Sequence, residues 1–211
     1  MSLLFFGDSL TEGDNCDTTF TEFLPLEFDI YNYGVSGTTI GEYSIYPVDG
    51  NSLLSQIEHH KNDIRCASDI FIEYGSNDVS AVMCGFATVQ TVTVSFVKAI
   101  DWINQLNDDV NIHFLAFGSD AVIKAKGTNM CSYLEKDYFS KFDFKFPVSV
   151  YIQIYNEIVH NISKVCDIMY MFDDDMVGSE FLSDDNIHPN TLGHKRIADN
   201  ILKQIKERYG F

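Results

Sequence analysis

The chain reads as an α/β protein built on a parallel sheet of about five strands, and two observations predict it. Short apolar runs recur along the 211 residues, separated by longer stretches with helical spacing, which is the pattern of strand-helix-strand units. The runs are also near-continuous rather than alternating, as in Ile70-Phe71-Ile72 and Ile168-Met169-Tyr170-Met171-Phe172. Parallel strands covered by helices are buried on both faces and need that kind of sequence.

In order, the strands are expected at 3–6, 28–33, 69–74, 111–117 and 166–172. Between them lie apolar stripes at helical spacing: Phe96, Ile100 and Ile103 on one face, then Tyr151, Ile154, Tyr155, Ile158 and Ile162, and last Ile197, Ile201, Leu202 and Ile205. Such stripes mark faces turned to the core. The last helix has a start signal, because Pro189 is tolerated at a helix beginning but not inside it, and Asn190 or Thr191 can cap the first amides. It is expected to run from about Asn190 into the 203–208 region. There is no internal repeat, low-complexity run or Pro/Gly/Ser-rich linker, so one domain over 1–211 is expected. The odd stretch is 121–149, where Phe142, Phe144 and Phe146 alternate with Lys141, Asp143 and Lys145. That period of two suggests an extended segment with one apolar face, either a substrate loop or lid over a pocket or an edge packed on the core.

Composition narrows the function. Hydrophobic residues at 45% and charged ones at 21% place the chain among ordinary globular proteins. The formal net charge of −17 sets up a field that repels polyanions, which disfavours nucleic acid as a partner and tilts the ligand toward a neutral or cationic small molecule. The five cysteines are far apart, with no Cys-x-x-Cys pair and an odd count, which fits reduced thiols and a cytoplasmic location. No basic segment precedes an apolar stretch at the start, so no signal peptide is expected, and Asn161-Ile162-Ser163 is not expected to be glycosylated. No apolar run approaches the length of a membrane span. The sequence assigns no oligomeric state.

Chemistry-bearing residues follow the strands. Ser9 comes just after 3–6, Gly37 shortly after 28–33, Asn77 after 69–74, and Asp185 with His188 after 166–172. In a parallel sheet wrapped by helices, ligands collect at the carboxyl ends of the strands, where all four blocks are expected to fall. Taken singly, Ser, Asn and Gly are ordinary turn and cap residues; their joint placement is what points to a site. A serine needs a base to remove its proton, and the base needs a partner to fix its tautomer. Asp185 and His188, three apart, can meet through one ring nitrogen and leave the other facing Ser9, with Pro189 restricting His188 to extended geometry.

The blocks Gly7-Asp8-Ser9-Leu10, Asn32-Tyr33-Gly34-Val35-Ser36-Gly37-Thr38, Gly75-Ser76-Asn77-Asp78 and Asp185-Asn186-Ile187-His188-Pro189 resemble, in order, the signature blocks of the GDSL or SGNH hydrolases. The resemblance runs from end to end except for 121–149. It implies a three-layer α/β/α, flavodoxin-like fold and serine-dependent hydrolysis of an ester or thioester, with no metal and no organic cofactor. It also implies that Ser9 is the nucleophile, His188 the base and then acid, and Asp185 the carboxylate that orients it. The Ser9 amide, the Gly37 amide and the Asn77 side chain would form the oxyanion hole, and Asp8 would support the Ser9 loop by accepting backbone hydrogen bonds. Thr11 stands where the Gly-x-Ser-x-Gly elbow of α/β-hydrolases has its second glycine, so that motif is absent.

Three other features have plainer readings. Asp173-Asp174-Asp175 reads as a solvated acidic loop, His59-His60 as an exposed helix end, and Cys16 as packing near Ser9. The expected function is hydrolysis of a carboxylic ester with a short, acetyl-type acyl group on a carbohydrate or other small molecule. Lysophospholipase or thioesterase activity is the alternative within the same resemblance. A flavodoxin-like module that binds without covalent chemistry is a third reading, and it would leave the Asp-x-x-His pair and the Gly-x-Asn-Asp block without a purpose.

Overall fold

The computed structural model describes residues 1–43, 52–138 and 145–210. Five strands, β1 (Ser2–Gly7), β2 (Asp29–Gly34), β3 (Asp69–Glu73), β4 (Asn111–Ala116) and β5 (Asp167–Tyr170), form one sheet in the order β2-β1-β3-β4-β5. Every pairing is parallel. All five lie where the apolar runs predict them, with ends shifted by one or two residues. The order is the flavodoxin-like one, in which the chain reverses direction of winding between β1 and β3 and opens a crevice above their carboxyl ends.

Burial along the strands follows their places in the sheet. Every residue of β3 is buried and only Ser2 of β1 is not, whereas at the edges no residue of β2 and only Met169 of β5 is buried. Register then sorts side chains onto two faces. Phe5, Phe71 and His113 occupy one rung, and because side chains alternate along a strand they share a face. Phe5 stacks on Phe71 at 4.6 Å and meets Phe20 edge-on at 5.5 Å. The next rung, Phe6, Ile72 and Phe114, points the other way, where Phe114 meets Phe96 edge-on at 5.5 Å.

The helices are α1 (Ser9–Glu12), α2 (Leu53–His59), α3 (Lys61–Ile64), α4 (Ser76–Met83), α5 (Val89–Leu106), α6 (Asp120–Tyr133), α7 (Val148–Ile162) and α8 (Thr191–Tyr209). Phe96 belongs to α5 and His194, stacked 6.1 Å from Phe20, to α8, so the two helices cover opposite faces. Each predicted stripe is core: Phe96, Ile100 and Ile103, then Tyr151, Tyr155, Ile158 and Ile162, then Ile197, Ile201 and Ile205 are all buried, with Ile154 and Leu202 packed at the margin. No described helix is long and apolar enough to cross a membrane.

The last helix begins at Thr191, one residue after the expected start at about Asn190. Asn190 is its cap, accepting from the Gly193 amide at 3.0 Å, and Pro189 stands outside. Its far end is fastened to the foot of the sheet. Tyr209 donates to Asp69, Arg208 pairs with Asp167, and Asp69 also holds His113 at 3.0 Å.

The stretch 121–149 differs from its extended reading. Residues 120–133 are helical and run into a wider turn, Leu134–Tyr138, of π type. The period-two pattern therefore belongs only to its later part; Phe139, Phe142 and Phe144 lie outside the described residues, while Phe146 is buried, its amide donating to Glu135 at 2.8 Å.

Candidate active site

The turn from β1 into α1 shapes the first segment of the site. At Gly7 a side chain would bring its first carbon to 2.0 Å from the Thr11 hydroxyl and 2.8 Å from the Glu73 carbonyl oxygen, so only glycine lets the chain turn so tightly into α1. Asp8 caps that turn by accepting from the Leu10 amide at 3.0 Å, the backbone support expected of it. Ser9 is the first residue of α1, so its N–H is among those a helix start leaves without an intrahelical partner.

Asp185 and His188 come from the turn ahead of α8, and they meet Ser9 across 179 residues of sequence. The Asp185 Oδ2 lies 2.5 Å from His188 Nδ1, and His188 Nε2 lies 2.8 Å from Ser9 Oγ. Asp185 is densely solvated by protein. Its Oδ1 accepts from the Ile187 amide at 2.8 Å, the His188 amide at 2.9 Å and the Ser183 hydroxyl at 2.7 Å, while Oδ2 also accepts from Asn15 Nδ2 at 2.8 Å. Partial burial pushes its carboxyl up, but these bonds, led by those from the His188 ring and Ser183, outweigh burial and hold it well below the usual carboxylate range. An ionised Asp185 accepts only, so the proton of neutral His188 resides on Nδ1 and Nε2 is the acceptor toward Ser9.

Gly37 and Asn77 reach the same place. Asn77 lies in the first turn of α4, after β3, and Gly37 sits in the loop after β2 with a φ of 75°. Both line one cleft of about 780 Å³ with Ser9, His188 and Asp185. The amide nitrogen of Asn77 already donates twice within the protein, to the Thr38 carbonyl at 2.9 Å and to Asp8 Oδ2 at 3.2 Å. The neighbouring Asp78 ties down the same loop, accepting from the Ile40 amide at 3.0 Å and the Tyr43 hydroxyl at 2.8 Å.

Beneath Ser9 two carboxyls, Asp8 and Glu73, are buried together in the interior. Glu73, the last residue of β3, is fully buried against Asp8 and accepts from Thr11 Oγ1 at 3.1 Å. Burial, then the Asp8 charge, lifts Glu73 well above the ordinary range. Burial lifts Asp8 as well, with the Leu10 amide and the Glu73 hydrogen bond opposing.

Several of these residues left no readable sign in the sequence. Asn15 holds a left-handed backbone at φ 60°, as Asn186 does at 59°, and asparagine tolerates that better than most residues; that tolerance is the only hint and it is common to many turns. Ser183 and Glu73 had no motif. The cleft wall from Asn129, Met130, Ser132, Tyr133 and Lys136 comes from α6 and its π turn, within the stretch read as a loop or lid. Among the plainer readings, Cys16 donates its thiol to the Thr18 carbonyl at 2.9 Å, and His60 stacks on Tyr33 at 3.6 Å.

Comparison with known proteins bears on the fold and the family. No curated protein matches the sequence. Among solved structures, the chain is similar to the psychrotrophic esterase EstA from Pseudoalteromonas sp., at 15% identity and a TM-score of 0.62, covering 100% of this chain and 99% of that one. It is also similar to Est24, a carbohydrate acetylesterase from Sinorhizobium meliloti, at 14% identity and a TM-score of 0.59, covering 98% of each chain. A third, the aryl esterase of M. smegmatis, shares 13% identity with a TM-score of 0.58 over 98% of each. At such identities these likenesses establish the shared fold. A family model described as GDSL-like Lipase/Acylhydrolase matches residues 3–201, nearly the whole of a chain whose four motif blocks converge on one cleft, and the chain therefore belongs to this family of ester-hydrolysing enzymes.

Proposed function

We propose that this protein hydrolyses carboxylic esters through an acyl-enzyme on Ser9, with a short, acetyl-type acyl group on a carbohydrate or other small polar alcohol. The observation that carries the reading is the continuous array Asp185–His188–Ser9, with contacts of 2.5 and 2.8 Å, opening into the cleft. Ser9 Oγ attacks the acyl carbonyl carbon while His188 Nε2 takes its proton, and Asp185 stabilises the imidazolium that forms. His188 then returns the proton to the departing alcohol. A water activated by the same nitrogen attacks the acyl-enzyme, and the acid leaves with Ser9 regenerated.

Negative charge on the former carbonyl oxygen would meet the Ser9 amide, the Gly37 amide and Asn77. Each such donor is worth about 3 kcal/mol at the transition state. Asn77 can serve only by turning one of its two present bonds toward the oxyanion, and the longer one, to Asp8 at 3.2 Å, is the one to exchange.

A polar alcohol is favoured by the hydrogen-bonding side chains of the cleft wall, Asn129, Ser132, Asn186 and Asp14, which stand beside Met130, Tyr133 and Ile187. The likeness to a carbohydrate acetylesterase points the same way. A single domain acting in the cytoplasm without cofactor completes the reading. A p-nitrophenyl ester series from acetate to decanoate tests it. Wild-type turnover highest on acetate, and lost in Ser9→Ala, is expected; maximal turnover on decanoate would favour the lysophospholipase or thioesterase alternative, and no turnover beyond Ser9→Ala would leave only a binding module.

A further inference from the structure

Lys126 lies in the middle of α6 and is buried, with only 7% of its surface exposed. Burying an ammonium is costly unless it is paired and hydrogen-bonded, and each partner of this one belongs to the site. Its Nζ donates to the carbonyl oxygen of Ile187. The charge faces Glu73 from β3, Asp8 from the turn into α1 and Asp185 from the turn before α8, with the neutral His194 of α8 also near. The rings of Phe117 and Phe172 flank it at 5.8 and 5.6 Å, which is cation–π distance. Burial pulls the ammonium down to about 8, against the upward pull of Glu73, Asp8 and Asp185.

One turn further along the same helix, Asn129 Nδ2 donates to the carbonyl oxygen of Asn186. Residues three apart on a helix share a face, so α6 grips two successive carbonyls of the segment between Asp185 and His188. Asn186 is also one of the two non-glycine residues with positive φ in the described chain. The turn is therefore held in an uncommon shape from outside, at the oxygens its internal bonds to Asp185 leave unused.

We propose that Lys126 and Asn129 are positioning residues for the reaction: by holding the Ile187 and Asn186 carbonyls they set where His188 Nε2 stands relative to Ser9. The idea rests on the reading of Ser9 and His188 as nucleophile and base. Because reacting groups displaced by about 1 Å lose on the order of 100-fold in rate, loosening the grip lowers kcat and leaves KM nearly untouched. The same helix forms the cleft wall through Met130 and Tyr133, so the base and the alcohol site share one support.

The test compares Lys126→Met, which fills a similar volume between the two aromatic rings, with Asn129→Ala, a partly exposed position, and with Ser9→Ala. Steady-state kinetics on p-nitrophenyl acetate are read with thermal melting and with the downfield proton resonance of His188 Nδ1–H. Expected are a kcat drop of about 30-fold in Lys126→Met and several-fold in Asn129→Ala, KM within twofold, and a shifted or broadened resonance in both. Should Lys126→Met fail to fold, a lowered kcat and moved resonance in Asn129→Ala alone support the proposal. Wild-type kcat in Asn129→Ala together with a Lys126→Met loss that only follows its loss of folded protein overturns it, as does wild-type kcat in both. If Ser9→Ala is inactive in those cases, the serine reading survives; if Ser9→Ala keeps the wild-type rate, both fall.

Discussion

Replacing Asp185 by asparagine changes one atom of the proposed relay and reverses its proton. Three donors converge on Oδ1, from the Ile187 amide, the His188 amide and the Ser183 hydroxyl, so the asparagine carbonyl oxygen must take that position. Its NH2 group then occupies the Oδ2 position, facing Asn15 Nδ2 and His188 Nδ1. A donor opposite Nδ1 makes that nitrogen the acceptor and moves the ring proton to Nε2, where it points at Ser9 and can no longer receive the hydroxyl proton. In the serine-histidine-aspartate template this wrong tautomer costs about 10⁴ in kcat, or about 5 kcal/mol at ~1.4 kcal/mol per decade. The backbone bonds to Oδ1 survive, so the folded structure is expected to change little. The assay is kcat on p-nitrophenyl acetate for Asp185→Asn, with far-UV circular dichroism as the control for folding. A folded Asp185→Asn protein with kcat within tenfold of wild type would refute the tautomer argument.

Burial and packing set three other expected outcomes. Asp78 is pushed up to about 7, first by burial, against the bonds from Tyr43 and the Ile40 amide. Its folded value thus lies above its unfolded one, so the stability it contributes is whole below about 4 and is lost as pH rises through about 7. Three pH units correspond to about 4 kcal/mol, and Asp78→Asn should flatten the fall in urea-measured stability between about pH 4 and 7; an unchanged slope would count against Asp78 as its source. Phe5→Ala empties a fully buried position stacked on Phe71 and edge-on to Phe20 and should cost about 3–5 kcal/mol in the same assay, where a loss under 1 kcal/mol contradicts the packing described. Gly7→Ala drives a methyl group into Thr11 and the Glu73 backbone, displacing α1, and is expected to lower both melting temperature and kcat; retention of both would show that the turn relaxes freely.

Much of the fold was readable in the chain because it rests on local rules. The near-continuous apolar run Ile70-Phe71-Ile72 fits a central strand, and β3 is buried throughout, whereas the similar run from Ile168 forms the edge strand β5, where Tyr170 is exposed. The stripes of α5, α7 and α8 are single-period signals and each faces the core. Ser9, Gly37, Asn77, Asp185 and His188 were visible because they fall in dense local motifs that come after strands. Long-range partners were not. Lys126 meets Ile187 and Asn15 meets Asp185 across 61 and 170 residues, and nothing near either residue signals the encounter. Over 121–149 the Phe142–Phe146 alternation is the stronger local signal, because the polar cleft-facing residues Asn129 and Ser132 blur the helical stripe before it. Asn77 shows a different limit, since its identity allows donation while only coordinates reveal that both hydrogens are engaged.

The bonds at the foot of α8 carry a consequence for how activity arises. Tyr209 and Arg208 clip the helix to Asp69 and Asp167, while the turn at its other end holds His188 against a serine 179 residues earlier. Bringing such distant segments together sacrifices chain entropy that only a nearly finished fold returns. Ester turnover should therefore be the last signal to recover on refolding, after sheet and helix content. A single substrate molecule converted would report that the first strand and the last helix of the same chain had already found each other.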